Sequence, residues 1–321
     1  CQQEIYLKLI FMGTPRFAIP VLDSIRQDGH EIAAVYSKPD RKVGRGRKLS
    51  SPPVKQYAQD HQIPVEQPEN FRNNLTVDKL FSYDVEALVV AAYGIFLPKK
   101  IINGLNHGCL NIHPSLLPKH RGASPVASSI LEGSSKTGVT VMLLDEGMDT
   151  GPILCQREIV IEEGETCEDL TQRLFTEGGD LILDAITGLM SGTLKPIPQD
   201  DTKATLTTRF TKNDGLINWN STSIQILRSI RAYYPWPGTF TNYNKTSLKI
   251  VSATPFNKPI ALRPGEIKMT DEVLIGTLDG AISVKEIQPN GKNIITAGDF
   301  KLGYRSLEGS ILGEREFTKG T

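Results

Sequence analysis

Residues 7–37 read LKLIFMGTPRFAIPVLDSIRQDGHEIAAVYS, and this stretch decides the fold. Leu7–Gly13 is a short, apolar, partly β-branched run that stops on glycine, and Glu31–Ser37 is a second run of the same kind. Both read as buried strands. Between them Phe17, Val21, Leu22 and Ile25 recur at helical spacing until Gly29 ends the pattern, as a glycine just past a helix does. Strand, helix and strand in that order make a βαβ unit. Val85–Gly94 and Cys109–His113 add two more apolar runs. Strands that alternate with helices imply an α/β fold with a mostly parallel sheet covered on both faces, whose ligands bind beyond the carboxyl ends of the strands.

Farther along, residues 137–154 and then CQREIVIEE (155–163) read as a strand, a loop and a hairpin-like return, and residues 167–192 carry the period of a long helix. From Thr193 the composition turns to Pro, Lys, Asp and Thr with no sustained period, which predicts an interdomain linker over 193–208. Beyond it SIQILRSIRAY (223–233) reads as one helix and the remainder as short alternating strands separated by turn residues. That pattern favours a small β-barrel of OB-like type. The expected division is therefore 4–192, a linker over 193–208, and 209–321.

The 321 residues are too many for one small core, and two domains are expected. Hydrophobic residues at 39% with charged residues at 22% exclude a disordered or fibrous chain. No run approaches the roughly 20 apolar residues that cross a bilayer. The opening CQQEIYLKLIFMG has no basic region ahead of its apolar stretch, so a cytoplasmic site is expected. The four cysteines, Cys1, Cys109, Cys155 and Cys167, include no pair at CxxC spacing, which argues against a zinc ribbon, a dithiol motif or a disulfide framework. Lys+Arg and Asp+Glu balance at 36 each, yet residues 206–321 hold 15 of the former and 10 of the latter, so the two parts of the chain are net +5 and net −5. A second basic concentration lies in KPDRKVGRGRK (38–48), where Lys38, Arg41, Lys42, Arg45, Arg47 and Lys48 are opposed by Asp40 alone. A solvated loop would look like this. Its glycines and lack of helical period also suit phosphate contacts, which points to nucleic acid.

Met12-Gly13-Thr14-Pro15 follows the first strand as a dinucleotide-binding turn would, but Pro15 and Arg16 stand where a G-x-G-x-x-G motif needs its second glycine. A nicotinamide enzyme is therefore disfavoured. Asn111 and His113 lie two apart on a predicted strand, so their side chains share one face at its carboxyl end, and Asp149 closes another apolar segment. Singly, each is explained by a structural histidine or a turn carboxylate. Together, with no Ser or Cys nucleophile at hand, they suit direct acyl transfer: an amide and an imidazole can stabilise an oxyanion while the carboxylate sets the imidazole's protonation. The other histidines, His30, His61, His107 and His120, show no metal-ligand spacing.

Three blocks, NIHPSLLP (111–118), RGASP (121–125) and DEGMDTG (145–151), taken in order, resemble the N10-formyltetrahydrofolate-dependent formyltransferase family. GTPRFA (13–18), the basic loop, VVAAYG (89–94), INW (217–219) and PWPG (235–238) are similar to the branch of that family that acts on tRNA-borne methionine. Arg16, Pro52 and Ala127 depart from that branch's usual pattern.

The resemblance implies a Rossmann-like formyltransferase domain followed by an OB-like barrel that helps grip tRNA. The implied activity is transfer of the formyl group of 10-formyltetrahydrofolate, without a metal, to the α-amino group of initiator methionyl-tRNA, giving formylmethionyl-tRNA for translation initiation. Asn111, His113 and Asp149 would be catalytic. Ser115, Leu116, Leu117 and Pro118 would line the folate site, with backbone near Ala91–Gly94 and residues 145–149 reading the pterin ring. Arg41, Lys42, Arg45, Arg47 and Lys48 would meet the tRNA acceptor end, and a monomer is expected. Relatives with other acceptors, the amino-sugar formyltransferases and a folate hydrolase, lack the arginine-rich loop; the ribonucleotide formyltransferases match only the first domain.

Overall fold

The structure, a computed structural model, describes residues 6–43, 48–244 and 246–313. The chain packs as two compact units. One takes in the residues up to Pro125 together with Lys136–Val160 and Thr171–Thr207; the other takes in Val126–Ser135, Ile161–Leu170 and the chain from Thr208 on.

The first unit is built on seven strands: β1 (Lys8–Gly13), β2 (Glu31–Tyr36), β3 (Val65–Glu66), β4 (Ala87–Ala91), β5 (Cys109–His113), β6 (Lys136–Leu143) and β7 (Ile153–Val160). Their order in the sheet is β7-β6-β5-β4-β1-β2-β3. The five strands from β5 to β3 run parallel, whereas β6 and β7 are antiparallel to their neighbours. This is the α/β architecture expected from the alternating pattern, and the hairpin-like return of residues 137–163 supplies the antiparallel edge. Leu9, Ile10, Phe11, Leu88, Val89 and Leu110 are fully buried, as continuous apolar strands in a doubly covered sheet must be.

Helix α1 (Ile19–Gln27) turns Val21, Leu22 and Ile25 inward, and Gly29, with φ of 91°, follows its end. Helices α2 (Pro53–Asp60) and α3 (Asn74–Phe81) complete the βαβ crossovers. Each buries two residues, Val54 and Ala58 in α2 and Val77 and Leu80 in α3, against three in α1. The long helix α4 (Cys167–Met190) lies against the sheet at Gly178, where a Cβ would stand 3.0 Å from Ile112 Cγ2 on β5. The helix therefore sits close behind the strand that carries Asn111 and His113.

In the second unit the strands Thr239–Tyr243, Thr246–Pro255, Gly280–Pro289, Val273–Thr277 and Ile267–Met269 pair in that order, all antiparallel. Leu312 N donates to Gly265 O at 2.8 Å and Gly313 N to Asn242 O at 2.8 Å, so one short segment bridges the two edges and draws the sheet toward a barrel. Ile250, Ile267, Ile275, Ile282, Val284, Ile287 and Phe300 fill its core together with Trp219, whose Nε1 donates to Thr241 Oγ1 at 3.0 Å. Helix α5 (Ser223–Ala232) starts at a capping box: Thr222 accepts from Gln225 N while Gln225 Oε1 accepts from Thr222 N at 3.0 Å.

The β6–β7 connection leaves no room for a side chain at Gly151, where a Cβ would lie 1.9 Å from the carbonyl oxygen of Leu143. Gly151→Ala is therefore expected to lower unfolding free energy by about 1–3 kcal/mol, the usual range for overpacking. An unchanged denaturation midpoint would show that the two backbones do not press there.

Candidate active site

At the carboxyl end of β5 the register places Asn111 opposite Val90 of β4 and Met142 of β6, and His113 opposite Thr140 of β6. Period-two alternation sends both side chains to one face. Asn111 is half-buried, and among the described residues its amide makes no hydrogen bond. His113 is buried, 5% exposed, with Nε2 at 3.0 Å from the carbonyl oxygen of His120. That oxygen can only accept, so the hydrogen-bond network assigns the ring proton to Nε2 and leaves the Nδ1 lone pair bare.

Nδ1 faces Asp149 Oδ1 at 3.6 Å, too long for a hydrogen bond but within ion-pair range once the ring is protonated. Asp149 itself stands at φ of 55°, in the left-handed region. Its Oδ2 accepts from Gly122 N at 2.8 Å, so the carboxylate is tied to RGASP, the second sequence block. Burial is the largest influence on the imidazole and holds its pKa below the ordinary 6.5; Asp149 and the His120 carbonyl pull it back up, and the His120 ring pushes it down again. The resting side chain is thus a neutral base beside a carboxylate, next to an amide with free donors. This set can stabilise a developing oxyanion and move a proton.

The turn after His113 is internally held. Ser115 is fully buried and its hydroxyl donates to Lys119 O at 2.7 Å. Leu117 is buried, and its N–H donates to Thr140 Oγ1 at 3.2 Å while its carbonyl accepts from Gln156 Nε2 at 2.8 Å. Only Leu116 and Pro118 of this quartet are partly open. On the neighbouring strand end, Ala92 and Gly94 have φ of 52° and 73°. Thr14 Oγ1 at the end of β1 donates to Tyr93 O at 2.9 Å. Three strand ends therefore meet around this turn.

The basic stretch forms a short antiparallel ladder, Arg41–Val43 with Lys48–Ser50, and the side chains of Arg41, Lys42 and Lys48 are exposed. Arg45 and Arg47 lie outside the described residues. Its base is fixed by Asp40, the one acid in the run. Lys55 Nζ lies 2.8 Å and 2.9 Å from the two carboxylate oxygens of Asp40, and Gln67 Nε2 donates to one of them at 2.9 Å. These bonds hold its carboxyl below the usual range. Sequence reasoning missed this anchor, as Lys55 and Gln67 lie 15 and 27 residues away. It missed Gln199 and Thr205 as well, which reach the site from the segment expected to be a linker. Among the described residues no group of three His, Cys, Asp or Glu is placed to hold a metal ion.

Residues 7–186 match the formyl transferase family and residues 209–305 match the formyl transferase C-terminal domain. A methionyl-tRNA formyltransferase of Dehalococcoides mccartyi (strain CBDB1) is 39% identical over 309 residues, 96% of this chain and 99% of the relative. One from Coxiella burnetii (strain CbuK_Q154) is 38% identical over 296 residues, 92% and 94% of the two chains. The crystal structure of HypX from Aquifex aeolicus in complex with tetrahydrofolic acid superimposes with a TM-score of 0.67 at 16% identity, over 92% of this chain and 47% of that one.

The depressed basicity of His113 has a definite sign. The folded chain binds this proton less readily than the unfolded chain, so the resulting stability is whole above pH 6.5 and declines as pH falls below it. An NMR titration of the His113 ring should give a midpoint below 6.5, and Asp149→Asn should move it lower still by removing the stabilising charge. A midpoint above 6.5 would refute the neutral imidazole.

Proposed function

This chain belongs to the methionyl-tRNA formyltransferase family, and from that membership and the site's geometry we propose that it transfers the formyl group of 10-formyltetrahydrofolate to the α-amine of initiator methionyl-tRNA. The observation that supports this most is the set at the end of β5: an amide with free donors beside a neutral imidazole backed by a carboxylate. No covalent enzyme intermediate is needed. The amine attacks the formyl carbon directly, and Asn111 donates to the oxygen as it takes on negative charge. The attacking nitrogen becomes cationic and yields a proton to His113 Nδ1, with Asp149 at 3.6 Å compensating the imidazolium. The proton then passes to the departing folate nitrogen as its bond to carbon breaks, which leaves a formamide and tetrahydrofolate and returns His113 to neutrality.

The folate would lie against the open side chains of Leu116 and Pro118, with the backbone of Ala91–Gly94 and residues 145–149 reading the pterin. Ser115 and Leu117 would serve by holding that turn from inside, since their side chains face the protein. Arg41, Lys42 and Lys48, with Arg45 and Arg47, would meet the acceptor end of the tRNA through phosphates. The same reading makes 4–192 the catalytic domain, 193–208 the connection, and 209–321 the tRNA-binding domain, in a cytoplasmic monomer. No helix of the described residues is long and apolar enough to cross a membrane.

Formyl transfer to methionyl initiator tRNA, run beside free methionine and an amino-sugar nucleotide, tests the acceptor. Transfer to the sugar alone would overturn it, and release of formate without transfer would make the chain a hydrolase. In that assay Asn111→Ala and His113→Ala should each lower turnover about a hundredfold or more, the usual loss of an oxyanion donor, with tRNA affinity little changed. Turnover equal to wild type would remove both from the mechanism. Arg41→Ala should weaken tRNA engagement and leave folate binding intact; unchanged tRNA kinetics would detach the basic ladder from the reaction.

A further inference from the structure

The segment that looks like a linker is bonded to both sides of the His113–Asp149 pair. On the histidine side, His120 N donates to Thr205 Oγ1 at 2.8 Å and Arg121 N to Thr205 O at 2.9 Å, and Leu206–Thr207 runs parallel to Arg121–Gly122. These bonds fix the turn whose His120 carbonyl accepts from His113 Nε2. On the carboxylate side, Gln199 Nε2 donates to Asp149 O at 2.9 Å and to Gly151 O at 2.7 Å. Ile197 and Ile153 exchange two backbone hydrogen bonds of 2.8 Å each just beyond.

Arg121 joins the two sides. Its side chain is buried, with Nε donating to Gln199 Oε1 at 3.0 Å and one terminal nitrogen to Asp201 Oδ1 at 2.7 Å. Gln199 thus spends both ends of its amide, the donor on the Asp149 loop and the acceptor on the RGASP block. A left-handed backbone is unfavourable for a residue with a side chain and persists where surrounding bonds over-determine it. Asp149 is in that conformation, and its own carbonyl and that of Gly151 are the two that Gln199 holds.

We propose that Ile197–Thr207 is a brace for catalysis and that Gln199 is a positioning residue, setting the separation of His113 and Asp149 without touching either substrate. This rests on the reading of that pair as the proton-handling group. Without the amide, the Asp149 loop loses two donors and the carboxylate drifts from the imidazole. Misplacement on the order of 1 Å at a reacting group lowers rates by roughly ten- to a hundredfold. The ionisable groups that face His113 are Asp149 and His120, and the charged ones beside Gln199 are Arg121 and Asp201. Withdrawal of Asp149 removes a charge that raises the imidazole's basicity.

Two variants test the brace in the full chain. Gln199→Ala removes both ends of the amide, while Gln199→Glu keeps a partner for Arg121 but has no N–H for the two carbonyls. Both should lower kcat roughly ten- to a hundredfold with KM for folate and tRNA within about twofold. Both should also move the acid limb of kcat/KM to lower pH. Wild-type kcat in either variant would overturn the proposal, and so would a loss of kcat that tracks melting temperature with no movement of the limb. His113→Ala and Asp149→Asn are run alongside. If they too keep full activity, the site reading itself falls and the brace with it; if they lose activity while the Gln199 variants do not, the brace alone is wrong.

Discussion

A buried imidazole that resists protonation is the constraint on which the site depends. His113 lies at the end of a strand whose other face is packed by helix α4, so water cannot reach it from below. A ring in such a place has to satisfy Nε2 internally, and the His120 carbonyl does so. That single bond dictates the path from His113 to His120. The chain must double back within seven residues; the buried Ser115 hydroxyl closes the return from within, and Thr140 and Gln156 supply bonds to it from outside. Once Nε2 is committed, Nδ1 is the ring nitrogen left for chemistry, and the position of Asp149 beside it determines what that nitrogen can do.

Sheet topology explains why these groups meet. In a parallel sheet the strand ends converge on one rim, and ligands gather where the strand order reverses. Here the chain starts at β1, lays β2 and β3 to one side, then crosses to β4 and β5 on the other. Thr14 and the Ala92–Gly94 turn follow the ends of β1 and β4, His113 is the last residue of β5, and the three share that rim. The antiparallel pair β6–β7 reaches the site by a different route. The β6–β7 connection, residues 144–152, leaves β6 beside Cys109 and Leu110, at the other end of β5 from His113, so the loop itself must climb along the strand face to bring Asp149 within 3.6 Å of the imidazole. Bonds from Gln199 to the carbonyls of Asp149 and Gly151, and from Gly122 N to the carboxylate, hold the loop in that path.

Much of this was legible in the sequence, and the division between what was and was not follows the range of the interactions. The runs at 7–13, 31–37 and 109–113 announce strands because burial on both faces demands consecutive apolar residues, and α1 and α4 announce themselves because one face must be apolar at helical period. Asn111 and His113 could be paired from alternation alone. Helices α2 and α3 give thinner signals, since each buries only two residues, Val54 and Ala58 or Val77 and Leu80, against the three of α1. The left-handed backbone of Asp149 was also hidden; DEGMDTG reads as an ordinary turn, and the strain is set by what holds it from outside.

The segment at 193–208 shows the deeper reason. Its Pro, Thr, Asp and Gln content looks like a solvated connection because no apolar period marks it. Those polar side chains are nonetheless partners of backbone groups 48 to 86 residues away: Gln199 for Asp149 and Gly151, Thr205 for His120, Thr207 for Arg121. An apolar residue signals burial by its own chemistry, whereas a glutamine that ties down a strained loop looks the same in sequence as one in water. Polar bracing of a site is therefore most visible where a structure allows each backbone group's partner to be followed, and least visible where composition alone sets the boundary. Here that boundary falls across the residues that hold the proton-handling pair together.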